Sequence, residues 1–297
     1  MFTPLIGELA ALTAALIWAV ASSIYASLGK QVSPLALNLS KGLIAITLVG
    51  LTLVGRGTWP NVPGWAIALL LLSGGIGIGL GDTAFFTSLN CLGARRGLLL
   101  ESLAPPMAAL IALMVLQEYL PLAAWLGIML TVGGVSWVVV ERTPSTPQFQ
   151  ARPRRGILFG FLAALSQASG AVLSRAALSG SEIDPLWSTF LRLVGALLVL
   201  VILVAMRQQQ GEVVALGRSR RLALTVAVTA FFGTYLAIWL QQVALKFTAA
   251  GIAQALGATS PLFVIPIAVW MGDRVSPRAL LGMVVALGGV WLLLAAR

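Results

Sequence analysis

Apolar runs of about 20 residues follow one another along nearly the whole chain, each long enough to cross ~30 Å of hydrocarbon as a helix. They leave no room for a soluble domain. Of 297 residues, 59% are hydrophobic and 9% charged, against about 25% charged in a soluble domain. The chain reads as an integral membrane protein. Its 19 Lys and Arg against 9 Asp and Glu give a net +10, which in a soluble protein would point to nucleic acid. In short membrane loops the same residues orient helices and meet anionic lipid heads, so the bilayer is the expected partner and nucleic acid is not. One cysteine, Cys91, excludes an intrachain disulfide, and the lack of histidine removes the commonest metal ligand and general base. No metal and no cofactor are expected. Because no Lys or Arg precedes Lys30, the first run lacks the basic start of a cleavable signal and reads as a permanent helix.

Polar breaks divide the chain into ten expected helices: 5–28, 33–54, 64–88, 95–116, 121–140, 156–178, 185–206, 221–245, 248–270 and 276–295. The breaks carry turn residues, among them Pro34, Pro121, Pro185 and Ser276-Pro277. Only one is long. The stretch 141–155, ERTPSTPQFQARPRR, reads as a linker between two units, 1–140 and 156–297.

The two units match in order. Gly7 pairs with Gly156, Pro34 with Pro185, Lys41 with Arg192, Pro106 with Pro261, Glu118 with Asp273 and Gly127 with Gly282. The run Gly133-Gly134-Val135 pairs with Gly288-Gly289-Val290. Apolar sequences resemble each other by chance, but charges and prolines at corresponding places do not. An odd number of helices per copy makes the copies cross in opposite senses, so the expected fold is an all-α integral membrane protein of ten transmembrane helices in two inverted five-helix repeats.

Pro106, Glu118 and the Gly127 to Val135 helix, repeated as Pro261, Asp273 and Gly282 to Val290, resemble the EamA-type repeat of the drug/metabolite transporter superfamily. The resemblance covers essentially the whole chain. It implies an exporter or permease of small metabolites, such as amino acids or amphiphilic compounds, with a central cavity lined mainly by helices 1, 3, 4, 6, 8 and 9. It also places Lys41 and Arg192 where the family often has a basic residue in the second helix of each repeat. Its motifs are structural more than chemical.

Most loop Lys and Arg fall on the side of connections 1–2, 3–4, 5–6, 7–8 and 9–10, including Lys30, Arg95, Arg96 and Arg152 to Arg155. The other side has Arg56, Arg175, Lys246 and Arg297. Cytoplasmic loops are enriched in such residues, so both termini are expected outside and the linker inside, the reverse of what the resemblance implies. The expected location is the plasma (inner) membrane of a prokaryote.

Lys41, Asp82, Glu101 and Arg192 are ionisable groups within apolar runs, a placement that costs roughly 2.5–3.5 kcal/mol each at mid-bilayer and directs such groups to a bundle interior or a wet cavity. Lys41, Asp82 and Glu101 fall ~9–12 Å below one face by helical rise, so they form a candidate charge cluster, formally −1 when ionised, for substrate or proton coupling. Lys41 has a counterpart in Arg192, whereas Asp82 aligns with Ala237 and Glu101 with Leu256. The competing reading is a buried pair that locks helices 2, 3 and 4.

Trp18, Ser22 and Tyr25 share a face of helix 1 by their i, i+4, i+7 spacing. Gln167 and Ser174 pair with Trp18 and Tyr25, Gln241 and Gln242 of helix 8 with Phe86 and Thr87, and helix 9 adds Gln254. Aromatics with a few amides suit a zwitterionic or amphiphilic molecule, so Trp18, Ser22, Tyr25, Phe86, Gln167, Gln241 and Gln254 are the candidate substrate residues; interhelical packing is the plainer account of any one of them. The run GGIGIGLG, 74–81, lacks the setting of a phosphate-binding loop and reads as a close contact or hinge. Pro105-Pro106 and Pro261 are expected to bend helices 4 and 9. Glu118 and Asp273 are expected to cap the helix that follows each.

These features favour a secondary transporter working by alternating access on a small-molecule substrate, with protons as a candidate coupling ion and no obligate protein partner. Two alternatives stand beside it: an intramembrane lipid-modifying enzyme using Asp82 and Glu101, and a channel. The lack of histidine, of a nucleophile dyad and of a metal motif weighs against an enzyme.

Overall fold

A computed structural model describes residues 3–28, 32–57, 62–92, 94–142, 153–263 and 276–296. Among them every regular element is helical. The helices are α1 (Thr3–Leu28), α2 (Pro34–Arg56), α3 (64–92), α4 (Ala94–Glu101 and Ala104–Val115), α5 (Leu122–Arg142), α6 (Pro153–Leu178), α7 (Pro185–Met206), α8 (220–247), α9 (Ala250–Gly257) and α10 (Pro277–Ala295). Among the described residues eight stretches are long and apolar enough to span a bilayer, and Leu5–Ala21 in α1 is a shorter apolar helix. Most of the 141–155 linker, the second half of the helix expected over 248–270, and Asp273 lie outside the described residues.

The prolines after the turns act as helix starts. Ser33, Asp184 and Ser276 each precede a proline at the first helical position and accept a hydrogen bond from a backbone N–H, of Ala36, Leu186 and Ala279 respectively. Pro34 and Pro185, paired in sequence, thus share a local job. At the far end of α2, Gly57 closes the helix with φ 62°, the left-handed conformation glycine adopts without a side-chain clash.

Two boundaries differ from the expected ones. Helix α3 continues to Leu92 rather than ending near residue 88, and α4 begins at Ala94, so Arg95-Arg96 lie in its first turn. A short helix, Gln210–Arg218, also lies between α7 and α8 where a loop was expected; it buries Leu216, and its Glu212 accepts the backbone N–H of Ser33 at 3.1 Å.

The internal pairing seen in the sequence has structural counterparts. Residues Gly75–Asp82 of α3 and Phe231–Leu236 of α8 are π-helical and occupy equivalent places. The break in α4 at Ser102-Leu103 has its equivalent at 258–259, after which the helix resumes at Ser260. Pro105-Pro106 therefore sit in the first turn of a restarted helix, which is where proline fits, rather than bending a continuous one.

The α5–α10 contact carries the pairing furthest. A side chain added at Gly127 would meet Gly289, and one at Gly282 would meet Gly134. The two contacts exchange under the pairing Gly127/Gly282 and Gly134/Gly289, as at a twofold axis. They also run in opposite senses along the two helices, so α5 and α10 are antiparallel. Lipid offers apolar groups the same environment as protein, so association rests on close packing, and small residues allow it. The run 74–81 serves this end too: Gly74 lies on the backbone of Arg192, Gly79 on Val199 and Gly81 on Ser166, which seats α3 on α6 and α7.

Candidate functional site

The expected residues gather at two equivalent places. In the first half, the Lys41 Nζ lies 2.9 Å from Asp82 Oδ2, with the side chains 4% and 17% exposed. Three rings surround the ammonium, with centroids 5.9 Å (Trp18), 5.3 Å (Tyr25) and 5.8 Å (Phe86) from Nζ. The electron-rich ring faces and the carboxylate together replace the water that a buried ammonium loses. Tyr25 is held in turn by α8, its hydroxyl 3.0 Å from Thr234 Oγ1 and donating to Thr229 O at 3.1 Å. Trp18 and Tyr25 are themselves in tilted contact at 6.1 Å. The Ser22 side chain lies outside the described residues, as do those of Arg95 and Arg96.

Asp82 owes its position to the π-helical segment it closes. It lies ten residues before the end of α3, ~15 Å along the helix and deeper than its distance from residue 88 implied. The wider turn loosens the regular backbone ladder, and Asn38 Nδ2 donates to the Ile78 carbonyl at 3.4 Å.

The second place holds the sequence counterparts. Arg192 Nη1 donates to Gln241 Oε1 at 3.3 Å. A Cβ at Gly77 would stand 3.3 Å from Arg192 Nη2 and 3.7 Å from Gln167 Oε1, so both polar heads converge over that bare backbone. Gln254 Nε2 donates to the Gln167 carbonyl at 3.2 Å. Ser174, the counterpart of Tyr25, shares a hydrogen bond with Ser73, at 2.8 Å.

Glu101 stands apart from Lys41. Its Oε2 is buried without a hydrogen-bond partner, and it makes no ion pair among the described residues. Asp82 lies within electrostatic reach of both Glu101 and Arg192, so the charges in play are four rather than three and sum to zero when all are ionised. Glu118 does not cap the helix that follows it: it accepts from Arg175 Nε and from the backbone N–H of Ala250 at the start of α9.

Sequence reasoning missed Thr229 and Thr234, which hold the Tyr25 hydroxyl, and did not foresee the partner of Gln242. Gln242 is fully buried and accepts from Ser188 Oγ at 2.7 Å. A Thr or Gln in an apolar helix carries no mark of which neighbour it faces.

Two equivalent polar centres thus lie among membrane-spanning helices. The EamA-like transporter family model matches twice, over residues 5–140 and 154–295. The chain belongs to the EamA-like transporter family. It is a multi-pass integral membrane protein with the two-repeat layout of that family. An uncharacterized protein of Pseudomonas aeruginosa is 31% identical to this EamA-like chain over 141 residues, 48% of the chain and 46% of that protein. The match therefore spans about half of that relative's length. A solved crystal structure superposes with a TM-score of 0.77 at 18% identity, covering 98% of this chain and 97% of that one, which speaks to the fold alone.

Proposed function

We propose that this protein is a secondary transporter, an exporter or permease of small organic metabolites such as amino acids or amphiphilic compounds, in the inner membrane of a prokaryote. The two units, 1–140 and 156–297, rock against each other as inverted five-helix repeats and expose the polar centres to each side in turn. The observation that carries this reading is the reciprocal, antiparallel packing of α5 on α10 through Gly127/Gly289 and Gly134/Gly282, with the paired residues Lys41 and Arg192 both buried. Trp18, Tyr25, Phe86, Gln167, Gln241 and Gln254 contact substrate, with Ser22 on the same helix face as Trp18. Lys41, Asp82 and Glu101 couple transport to protons.

The test uses full-length protein in proteoliposomes with an imposed pH gradient and labelled amino acids and amphiphilic amines. Proton-driven movement of chemically unchanged substrate is expected, lost in Asp82→Asn or Glu101→Gln while folding persists. Unchanged coupling in both variants removes the acids from the mechanism, and chemical alteration of the substrate favours an enzyme.

A further inference from the structure

We propose that Arg192, with the amides of Gln167 and Gln241, is a carboxylate-binding subsite, and that the ligand's carboxylate supplies the counter-charge that the second repeat lacks. The proposal deepens the transporter reading, and its test reads binding rather than transport.

Arg192 is 1% exposed, and its one hydrogen bond among the described residues goes to the neutral Gln241. Its Nε is buried without a partner, and no carboxylate of those residues lies within 4.0 Å of it. A guanidinium offers five N–H donors and remains charged, so most of its hydrogen-bonding capacity is unused in a place where an unpaired charge is costly.

The first repeat shows what is missing. Lys41, the counterpart of Arg192, is paired with Asp82 at the end of the π-helical segment of α3. The counterpart of Asp82 is Ala237, which directly follows the π-helical segment of α8 and is buried. A methyl group stands where the first repeat has its carboxylate. The surroundings change in the same sense, since the rings of Trp18 and Phe86 that enclose an ammonium are replaced by the amides of Gln167 and Gln241, which donate and accept hydrogen bonds. The guanidinium fork and the Gln167 amide oxygen meet over the backbone of Gly77, where even a Cβ would come within 3.3 Å of Nη2 and 3.5 Å of the Gly170 Cα. Two parallel N–H···O bonds to a carboxylate are the pairing that fork fits best. Because Arg192 is nearly inaccessible, the ligand reaches it only when the repeats part.

Purified full-length protein in detergent is tested for binding of L-phenylalanine, 3-phenylpropionate, L-phenylalaninamide and phenyl phosphate. The two carboxylates are expected to bind at least about tenfold more tightly than the amide. Arg192→Gln should bring that ratio to about one, with part of it kept in Arg192→Lys. Ala237→Asp, which places a carboxylate where Asp82 stands in the first repeat, should raise the melting temperature and lose the preference; it reads the same contact even where Arg192→Gln fails to fold. The proposal is overturned by equal binding, or no binding, of carboxylates and amide in the unmodified protein. It is equally overturned by a preference for phenyl phosphate, or by a ratio that survives Ala237→Asp. A carboxylate preference without uptake of any probe into proteoliposomes supports the subsite and counts against the transporter reading alone.

Discussion

Glu118, in the turn between α4 and α5, accepts a hydrogen bond from Arg175 Nε at the end of α6, 2.5 Å away, and its other carboxylate oxygen accepts the backbone N–H of Ala250 at 3.1 Å. Arg175 Nη1 also donates to the carbonyls of Leu245 and Lys246 at 2.9 and 2.8 Å. One acid from the first repeat thus ties together the end of α6, the end of α8 and the start of α9. Arg56 and Asp184, 3.0 Å apart, make a second link between the repeats on the same face. Glu118→Ala leaves Arg175 partly buried without its carboxylate, and a loss of about 2 kcal/mol is expected. A double-mutant cycle with Arg175→Gln, followed by thermal or denaturant unfolding, should show coupling of at least ~1 kcal/mol. Additive effects would mean that the pair does not hold the repeats together.

The two intramembrane acids should separate by stability. Asp82 satisfies Lys41, whereas Glu101 makes no ion pair among the described residues. Asp82→Asn is therefore expected to lower the melting temperature, and Glu101→Gln to leave it unchanged, since no ion pair is broken. Equal destabilisation by both would place Glu101 in the structural pair.

Removing the Tyr25 hydroxyl tests how α1 is held to α8. Tyr25→Phe keeps the ring against Lys41 but loses the contacts with Thr229 and Thr234. A cost of about 1 kcal/mol is expected in unfolding measurements, whereas Tyr25→Ala also removes a wall of the cage and should cost about 3 kcal/mol or more.

Adjacent glycines in α5 should respond in opposite ways. A methyl at Gly133 meets nothing within 4 Å, while one at Gly134 runs into the backbone of Ala286 and Gly282. Gly133→Ala is expected to be neutral, and Gly134→Ala to cost about 1–3 kcal/mol by overpacking the α5–α10 contact. Comparable melting temperatures would mean that the helices do not approach as closely as Gly127/Gly289 and Gly134/Gly282 place them.

Helix positions were legible in the sequence because hydrocarbon imposes a length and a polarity that a linear pattern records directly, and the cap prolines Pro34, Pro185 and Pro277 mark starts by local geometry alone. The continuation of α3 to Leu92 and the Gln210–Arg218 helix were not, because nothing in an Arg- and Leu-bearing junction says whether it turns or stays helical. The π-helical segments also lack a sequence signature: GIGIGLGD and FFGTYL share one glycine-centred contact role and little else.

By itself the sequence determined that this chain is a membrane-embedded helical protein built twice over, and it singled out Lys41, Asp82, Glu101 and Arg192 as costly residues in need of a reason. Tertiary structure alone decided who meets whom: Asp82 and not Glu101 takes Lys41, three rings close around that ammonium, and Arg192 is left with amides. The division has a physical cause. Burial in lipid is set by each segment's own composition, whereas the pairing of charges depends on how helices far apart in the chain rotate and approach, and that is settled by the packing of small residues across their interfaces.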